Sequence, residues 1–450
     1  MSFVFATAVL FIADSPLAIG LWSPQIGFVG VAMFTFAVHS YDRQLHRQRT
    51  GRAPPFPASV KSSALLNTTV QAKCARVLEC LARIDSTLVA TNIAHFINAD
   101  KVLRLEEEII SNIGETEPSE LNYMLPKIKL GLLFYKIKDH PSYPHRTQLL
   151  EMLAVTRVAD LNVTSRALVL DALQQMKLSA HRRSEYYACN VILKTMGDDL
   201  SLLKSLTDSK GDFHSLHKLI YQDIKNEEIR GQVLRHIAKQ AKVQAAHMEL
   251  RTRASRSRTG FAWRKILSDV DDTLTCSGGR YPAGIDTRLP RKSVYPGVLD
   301  FYRELDLGTE GPDEWAEGRV GNLVFLSARP HVYKDVSEAQ SYAKFLKLQK
   351  ERGLYTSPTL LAGSMDTGAS FVLRGDMEPL ARKKYQNFDE FRSLYPEFKH
   401  VFVGDNGQGD VRAAEMMVQH YPRSVEAVYV HQVQPAHRTY GYRGPAPLAQ

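Results

Sequence analysis

Residues 268–279 read "SDVDDTLTCSGG" and follow the short apolar approach "FAWRKIL". Three carboxylates, Asp269, Asp271 and Asp272, crowd into four positions where a β-strand runs out toward a glycine pair. Like charges this close raise one another's pKa unless a cation sits among them or a proton is shared. A solvated turn needs one such residue, not three. The cluster reads as a metal site or a catalytic dyad.

From this stretch to the C-terminus, strand-like and helical runs alternate: "KILSDVDD", "GVLDFYREL", "NLVFLSA", "EAQSYAKFLKLQKE", "KKYQNFDEFRSLYP", "KHVFVGD" and "VEAVYVHQV". Strand, crossover and strand in repetition predict a Rossmann-like α/β domain, a parallel sheet covered by helices. Chemistry in such sheets gathers beyond the carboxyl ends of the strands, and four polar motifs stand there. Asp269 and Asp271, one residue apart, can both reach a single cation as their strand unwinds. Magnesium takes hard oxygen ligands of this kind together with substrate phosphate. Ser327 ends "VFLSAR", where its hydroxyl can bond a phosphate oxygen. A lysine precedes the last core strand in "ARKKYQNF". Asp405 and Asp410 lie on "VFVGDNGQGD", whose glycines permit a tight turn.

The series DxDxT, strand-end Ser, Lys and GDxxxxD resembles the haloacid dehalogenase superfamily of phosphohydrolases. "YPGVLDFYREL", "YPEFKHVFVGDNGQGD" and "VYVHQV" add a resemblance to the catalytic domain of the actin-patch phosphatidate phosphatase family over about residues 262–435, while "LSARP" is similar to the lipin phosphatases. The resemblance implies that Asp269 is the nucleophile forming an aspartyl-phosphate and Asp271 the general acid and base. It implies that Ser327 and a lysine hold the transferring phosphoryl oxygens. Lys384 is favoured over Lys383, because it stands four positions before Phe388 in the helical apolar pattern. Asp405 and Asp410 would complete a Mg2+ site with Asp269 and Asp271. Thr273 would brace the first turn beside the substrate, and Asp272 would cap it. The connection from 269 to 327 has room only for a minimal cap, so the site is expected to be open. Its basic flap, "GGRYPAGIDTRLPRKSVYPG", offers Arg280, Arg288, Arg291 and Lys292 to an anionic headgroup, as does Arg329 beside Ser327.

The rest of the chain carries no chemistry of this kind. Residues 65–250 show apolar positions three and four apart in "VQAKCARVLECLARI", "YMLPKIKLGLLFYKI" and "IRGQVLRHIAKQAK", which predicts an all-helical domain, solenoid-like (armadillo/HEAT) or a bundle. Residues 43–64 are a basic, Pro/Ser-rich linker, 251–261 a second basic linker, and 436–450 a flexible tail. Residues 1–42 form an apolar segment, without charge over 17–38, long enough to serve as a transmembrane anchor. Arg43, Arg47, Arg49 and Arg52 follow it and would leave the remainder in the cytoplasm. "SPQ" at 23–25 interrupts the run, so an interfacial or buried segment is the alternative, and with it a soluble cytoplasmic protein. The four cysteines lack CxxC spacing and exclude a zinc finger or a disulfide framework. A net charge of +9 without interleaved aromatics argues against nucleic acid and suits an anionic surface or substrate.

The expected function is a Mg2+-dependent phosphatase that converts phosphatidate to diacylglycerol at a membrane. Two alternatives stand beside it: a phosphatase of a soluble phosphomonoester or phosphoprotein, and a membrane-attached scaffold whose helical domain binds protein partners.

Overall fold

A computed structural model describes residues 8–9, 11–12, 31–32, 68–89, 99–208, 214–254, 264–279, 284–307, 322–330, 334–363 and 377–441. The chain divides into two compact units. One comprises Pro57–Lys210 and His214–Gln244, and the other Met1–Phe56, Gly211–Phe213 and Ala245–Gln450.

The described residues of the first unit are helical, beginning with Thr68–Val89 and Ala99–Gly114, which pack on each other. Leu130–Lys136 and Gly197–Asp208 both pack against Val163–Met176. Buried Leu, Ile and Val fill the spaces between them, as the three-and-four spacing requires. One polar junction is built into this unit. The buried Glu106 carboxylate accepts hydrogen bonds from His140 Nε2 and His145 Nδ1, both at 2.9 Å, and so fastens the 138–145 turn to Ala99–Gly114.

The second unit is an α/β domain. Its strands in chain order are β1 (Ala8–Val9), β2 (Phe11–Ile12), β3 (Val31–Ala32), β4 (Arg264–Asp269), β5 (Leu323–Pro330), β6 (Thr359–Gly363), β7 (Lys399–Asp405) and β8 (Val425–His431). Five of them form a parallel sheet in the order β8-β7-β4-β5-β6. Almost every residue of β4 and β7 is buried, as in a sheet covered on both faces. One face carries a core cluster of Ile266, Phe325, Val401 and Val403 with Tyr302, Phe345 and Leu354. Each such side chain contributes about 1.5–3 kcal/mol when fully buried.

β6 was not among the expected strands. Its five residues, "TLLAG", are too short for a period to show, although Pro358 precedes them and Gly363 ends them. Two expected boundaries also shift. The helix Glu227–Ala254 runs into the first residues of the expected basic linker. The tail expected to be flexible from 436 begins with an ordered turn, Ala436–Arg438, because Asn406 Nδ2 donates to the buried Thr439 hydroxyl at 3.0 Å.

At its described residues the apolar N-terminus is extended rather than a spanning helix. β1 and β2 pair antiparallel with β8, and β3 pairs with β1. These short segments continue the sheet beyond β8, where backbone N–H and C=O groups would otherwise face outward unpaired. Among the described residues no helix is long and apolar enough to cross a membrane. The other residues of 1–42 lie outside the described residues.

Candidate active site

The chain leaves β4 for β5 and β6 on one side of the sheet, then returns to β7 and β8 on the other. This reversal opens a crevice beyond the carboxyl ends of β4 and β7. Ser268 pairs with Val403, so the two neighbouring strands pass the sheet edge at Asp269 and Asp405. Helix Asp410–His420 then starts at Asp410, placing that carboxylate where the amide dipoles of a helix start favour an anion.

Oxygens of Asp269, Asp405 and Asp410 lie within 4.8 Å of one another, and all three residues are buried. Lys384 is buried with them, 2% exposed, and its Nζ stands 2.9 Å from Asp269 Oδ1 and bonds Asp410 Oδ1. The helix Glu378–Leu394 explains why this lysine and not its neighbour. Leu380, Ala381, Lys384, Asn387, Phe388, Phe391 and Leu394 make up its buried face, and Lys383 falls on the outside, where it bonds Gln386.

The electrostatics follow from burial. Loss of solvent pushes Asp269 up to about 8; Lys384 works against the rise, while Asp410 and Asp271 add to it. Burial likewise raises Asp405, with Asp410 and Asp269 contributing. For Lys384 burial opposes the charge, but Asp269, Asp410 and Asp405 outweigh it and hold the ammonium above its ordinary range. Among the described residues one cation thus faces three carboxylates. Asp269 Oδ2 and Asp405 Oδ2 are buried without a hydrogen-bond partner among the described residues. Such orphaned oxygens cost free energy, and hard oxygen donors around a pocket of excess negative charge fit a divalent ion.

Two glycines let the loop after β7 close on this cluster. A Cβ on Gly404 would lie 2.5 Å from Asp410 Oδ2 and displace that carboxylate. Gly407 donates its N–H to Asp405 Oδ1 at 2.6 Å.

Not every expected residue joins the cluster. Asp271 is half-buried and stands outside the trio of converging carboxylates; the strand has ended at Asp269, and the backbone turns sharply at Asp272 with φ 58°. Thr273 is buried, and its hydroxyl has no partner. Ser327 follows Leu326, which pairs with Asp269, so its backbone stands at the same edge of the sheet. The side chains of Ser327 and Arg329, and all of Arg280, lie outside the described residues.

Asp272 does more than cap a turn. Its Oδ1 accepts from Ser277 N at 2.8 Å, and its Oδ2 from Ile285 N at 2.7 Å and Asp286 N at 3.0 Å. Arg288, expected to face a headgroup, instead pairs with Asp286 and reaches His431 Nε2 at 3.1 Å. His431 Nδ1 in turn donates to the Asp272 carbonyl at 2.7 Å. Burial would raise the Asp286 carboxyl, but hydrogen bonds from Arg288 and Tyr295 bring it down to about 2. Cys276 is buried and its thiol donates to the carbonyls of Asp286 and Leu289. No periodicity or spacing announces this network, because the Asp272 carboxylate meets backbone N–H groups up to 14 residues on and His431 comes from the far end of the domain.

Residues 264–432 match the family model described as phosphatidate phosphatase APP1, catalytic domain. No curated protein matches the chain.

Proposed function

We propose, residues 264–432 matching the model of the phosphatidate phosphatase APP1 catalytic domain, that the chain hydrolyses phosphatidate to diacylglycerol and inorganic phosphate with Mg2+ and an aspartyl-phosphate on Asp269. The observation that carries this reading is the buried convergence of Asp269, Asp405 and Asp410 on Lys384, with two carboxylate oxygens left unpartnered among the described residues. Phosphoryl transfer asks little covalent help of a protein and much positioning and charge stabilisation.

Mg2+ held by Asp269 and Asp405 with Asp410 would supply positive charge against the phosphoryl oxygens. The chain's own groups do the rest. Lys384 keeps Asp269 oriented through Oδ1 and opposes the effect of burial, which favours the ionised nucleophile. Asp269 attacks phosphorus, and the P–O bond to glycerol breaks. Asp271, half-buried two residues on, gives its proton to the departing glycerol oxygen. A water then attacks the phosphorus of the acyl phosphate and loses its proton to Asp271. Phosphate leaves, and both carboxyls return to their starting states. This division of labour requires two nearby carboxyls with environments that differ; burial by itself favours a neutral Asp269, so its ionisation as nucleophile falls to the positive charge of Lys384 and of the cation the site would hold.

Attachment to a membrane, with the catalytic domain on the cytoplasmic side, belongs to the same proposal. It is supported by the charge-free composition of residues 17–38 and the net charge of +9. Flotation of the full chain with anionic vesicles tests it, and a chain that stays at the bottom of the gradient refutes it.

The catalytic proposal is tested by phosphate release from phosphatidate in detergent micelles, with Mg2+ and with a chelator. Mg2+-dependent release, abolished in Asp269→Asn, is expected. Equal release in the chelator would exclude the metal, and an active Asp269→Asn would exclude the nucleophile.

A further inference from the structure

The segment 284–288 is held to the edge of the active site by a closed circuit of hydrogen bonds. Asp272 Oδ2 takes the N–H groups of Ile285 and Asp286; Asp286 binds Arg288; Arg288 reaches His431; His431 returns to the Asp272 carbonyl. Tyr295 closes on Asp286 from a second side and packs edge-on against His431, with ring centroids 4.6 Å apart. Every charged group of the segment is thereby consumed internally. Of the three exposed residues of the segment, Ile285, Thr287 and Arg288, the first is the apolar one.

Ile285 is 40% exposed, and its side chain meets the loop after β7. The point a Cβ would occupy on Gly407 lies 2.8 Å from Ile285 Cγ1 and 2.9 Å from Asp405 Oδ1. An exposed isoleucine on its own needs no explanation. One fixed by a network of hydrogen bonds, and sharing with Asp405 the space in front of Gly407, stands within reach of whatever a phosphate bound at those carboxylates carries. In phosphatidate that is glycerol bearing two acyl esters.

We infer that Ile285 is a specificity-determining contact for the acyl-glycerol portion of the substrate, held in place by the Asp272–Asp286–Arg288–His431 circuit. This rests on the phosphatidate reading above. A hydrophobic contact of this size discriminates by roughly 10-fold or more. It acts on substrates that carry acyl chains and is silent toward the same headgroup without them. Immobility matters as much as apolarity, since a preformed contact does not have to be ordered when the lipid arrives.

The test compares a water-soluble short-chain phosphatidate, below its micellar concentration, with glycerol 3-phosphate. Both present the same phosphate on the same glycerol. In Ile285→Ser, which adds no charge near the carboxylates, the ratio of kcat/KM for the lipid to that for glycerol 3-phosphate is expected to fall about 10-fold. Ile285→Leu is expected to restore it. Arg288→Ala, which opens the circuit, should lower the same ratio while Ile285 is intact. An unchanged ratio in Ile285→Ser overturns the inference, as does a loss seen only with vesicles, which would make Ile285 a membrane-surface contact. A wild-type chain that hydrolyses neither ester in the presence of Mg2+ refutes the function itself, a result separate from either.

Discussion

Lys384 is 2% exposed and has Asp269 and Asp410 for company. A buried ammonium survives only because the carboxylates around it repay its desolvation. Replacing it with Met leaves those carboxylates without their cation. Activity on phosphatidate should fall at least about 100-fold, the scale of losing one oriented charge-stabilising group. Lys383→Ala removes a half-buried side chain on the outer face of the helix, bonded to Gln386, and its activity should stay within about twofold, since substitutions at the surface are nearly neutral. Steady-state assay of the two variants side by side checks both, and the reverse pattern would move the proposed catalytic lysine by one position. His400 makes a second prediction at this scale. It is fully buried, and Phe388 and Phe391 meet it edge-on. Burial above all, with Arg392 and Lys265, holds it down to about 3. An unfolded histidine titrates near 6.5, so between those values the unfolded chain binds the extra proton and stability falls as pH drops, by up to about 1.4 kcal/mol per pH unit. Melting curves from pH 7 to 4.5 should show this loss, and His400→Leu should flatten it. Equal slopes in both proteins would mean that the imidazole is not held neutral.

At the scale of elements, strand order does the work. β4 and β7 are neighbours although more than a hundred residues separate them in the chain, and their ends deliver Asp269 and Asp405 side by side. The loop that follows β7 must then fold back tightly enough for Asp410 to join them. Gly404→Ala is expected to push the Asp410 carboxylate out of the cluster, because a Cβ there would sit 2.5 Å from Asp410 Oδ2. A displacement of about 1 Å near the chemistry costs on the order of 100-fold. Activity in Gly404→Ala should drop by about that factor, with a far-UV circular dichroism spectrum like the wild type. Full activity would show that Asp410 is dispensable. Much at this scale was legible beforehand. Strand–crossover–strand alternation is written in hydrophobic periods, and Lys384 could be preferred over Lys383 from its spacing to Phe388. β6 was not legible, since five residues are too few for a period to show. The pairing of residues 8–9, 11–12 and 31–32 was not legible either, because a run without charge reads equally as a membrane helix, and the partners of these short strands, β8 and one another, lie far away in the chain or within the run itself.

For the molecule as a whole, two compact units predict two unfolding events. Only the unit built on the parallel sheet holds the Asp269, Asp405 and Asp410 cluster. A ligand that binds the native state stabilises it by about 2.7 kcal/mol at 100 times its dissociation constant. Calorimetry with Mg2+ and with a chelator should therefore show one transition that moves with the metal and one that does not. A single transition moving as a whole would mean that the units unfold together, and none moving would deny the metal site. Deleting the helical unit separates catalysis from any scaffold role: phosphate release that survives the deletion while partner recovery is lost identifies it as an interaction module.

The sequence by itself determined the alternation of strands and helices, the carboxylates at strand ends and the lysine on a buried helical face, because hydrophobic period and side-chain chemistry are local properties. Only the tertiary structure decided that Asp271 stands apart from the converging trio, that Asp272 ties down residues 284–288, and that Arg288 faces Asp286 rather than a headgroup. Those outcomes depend on which backbone amides a buried carboxylate meets after the chain has turned. That is settled by a positive φ at one residue and the register of strands far apart in the chain, which no local pattern records.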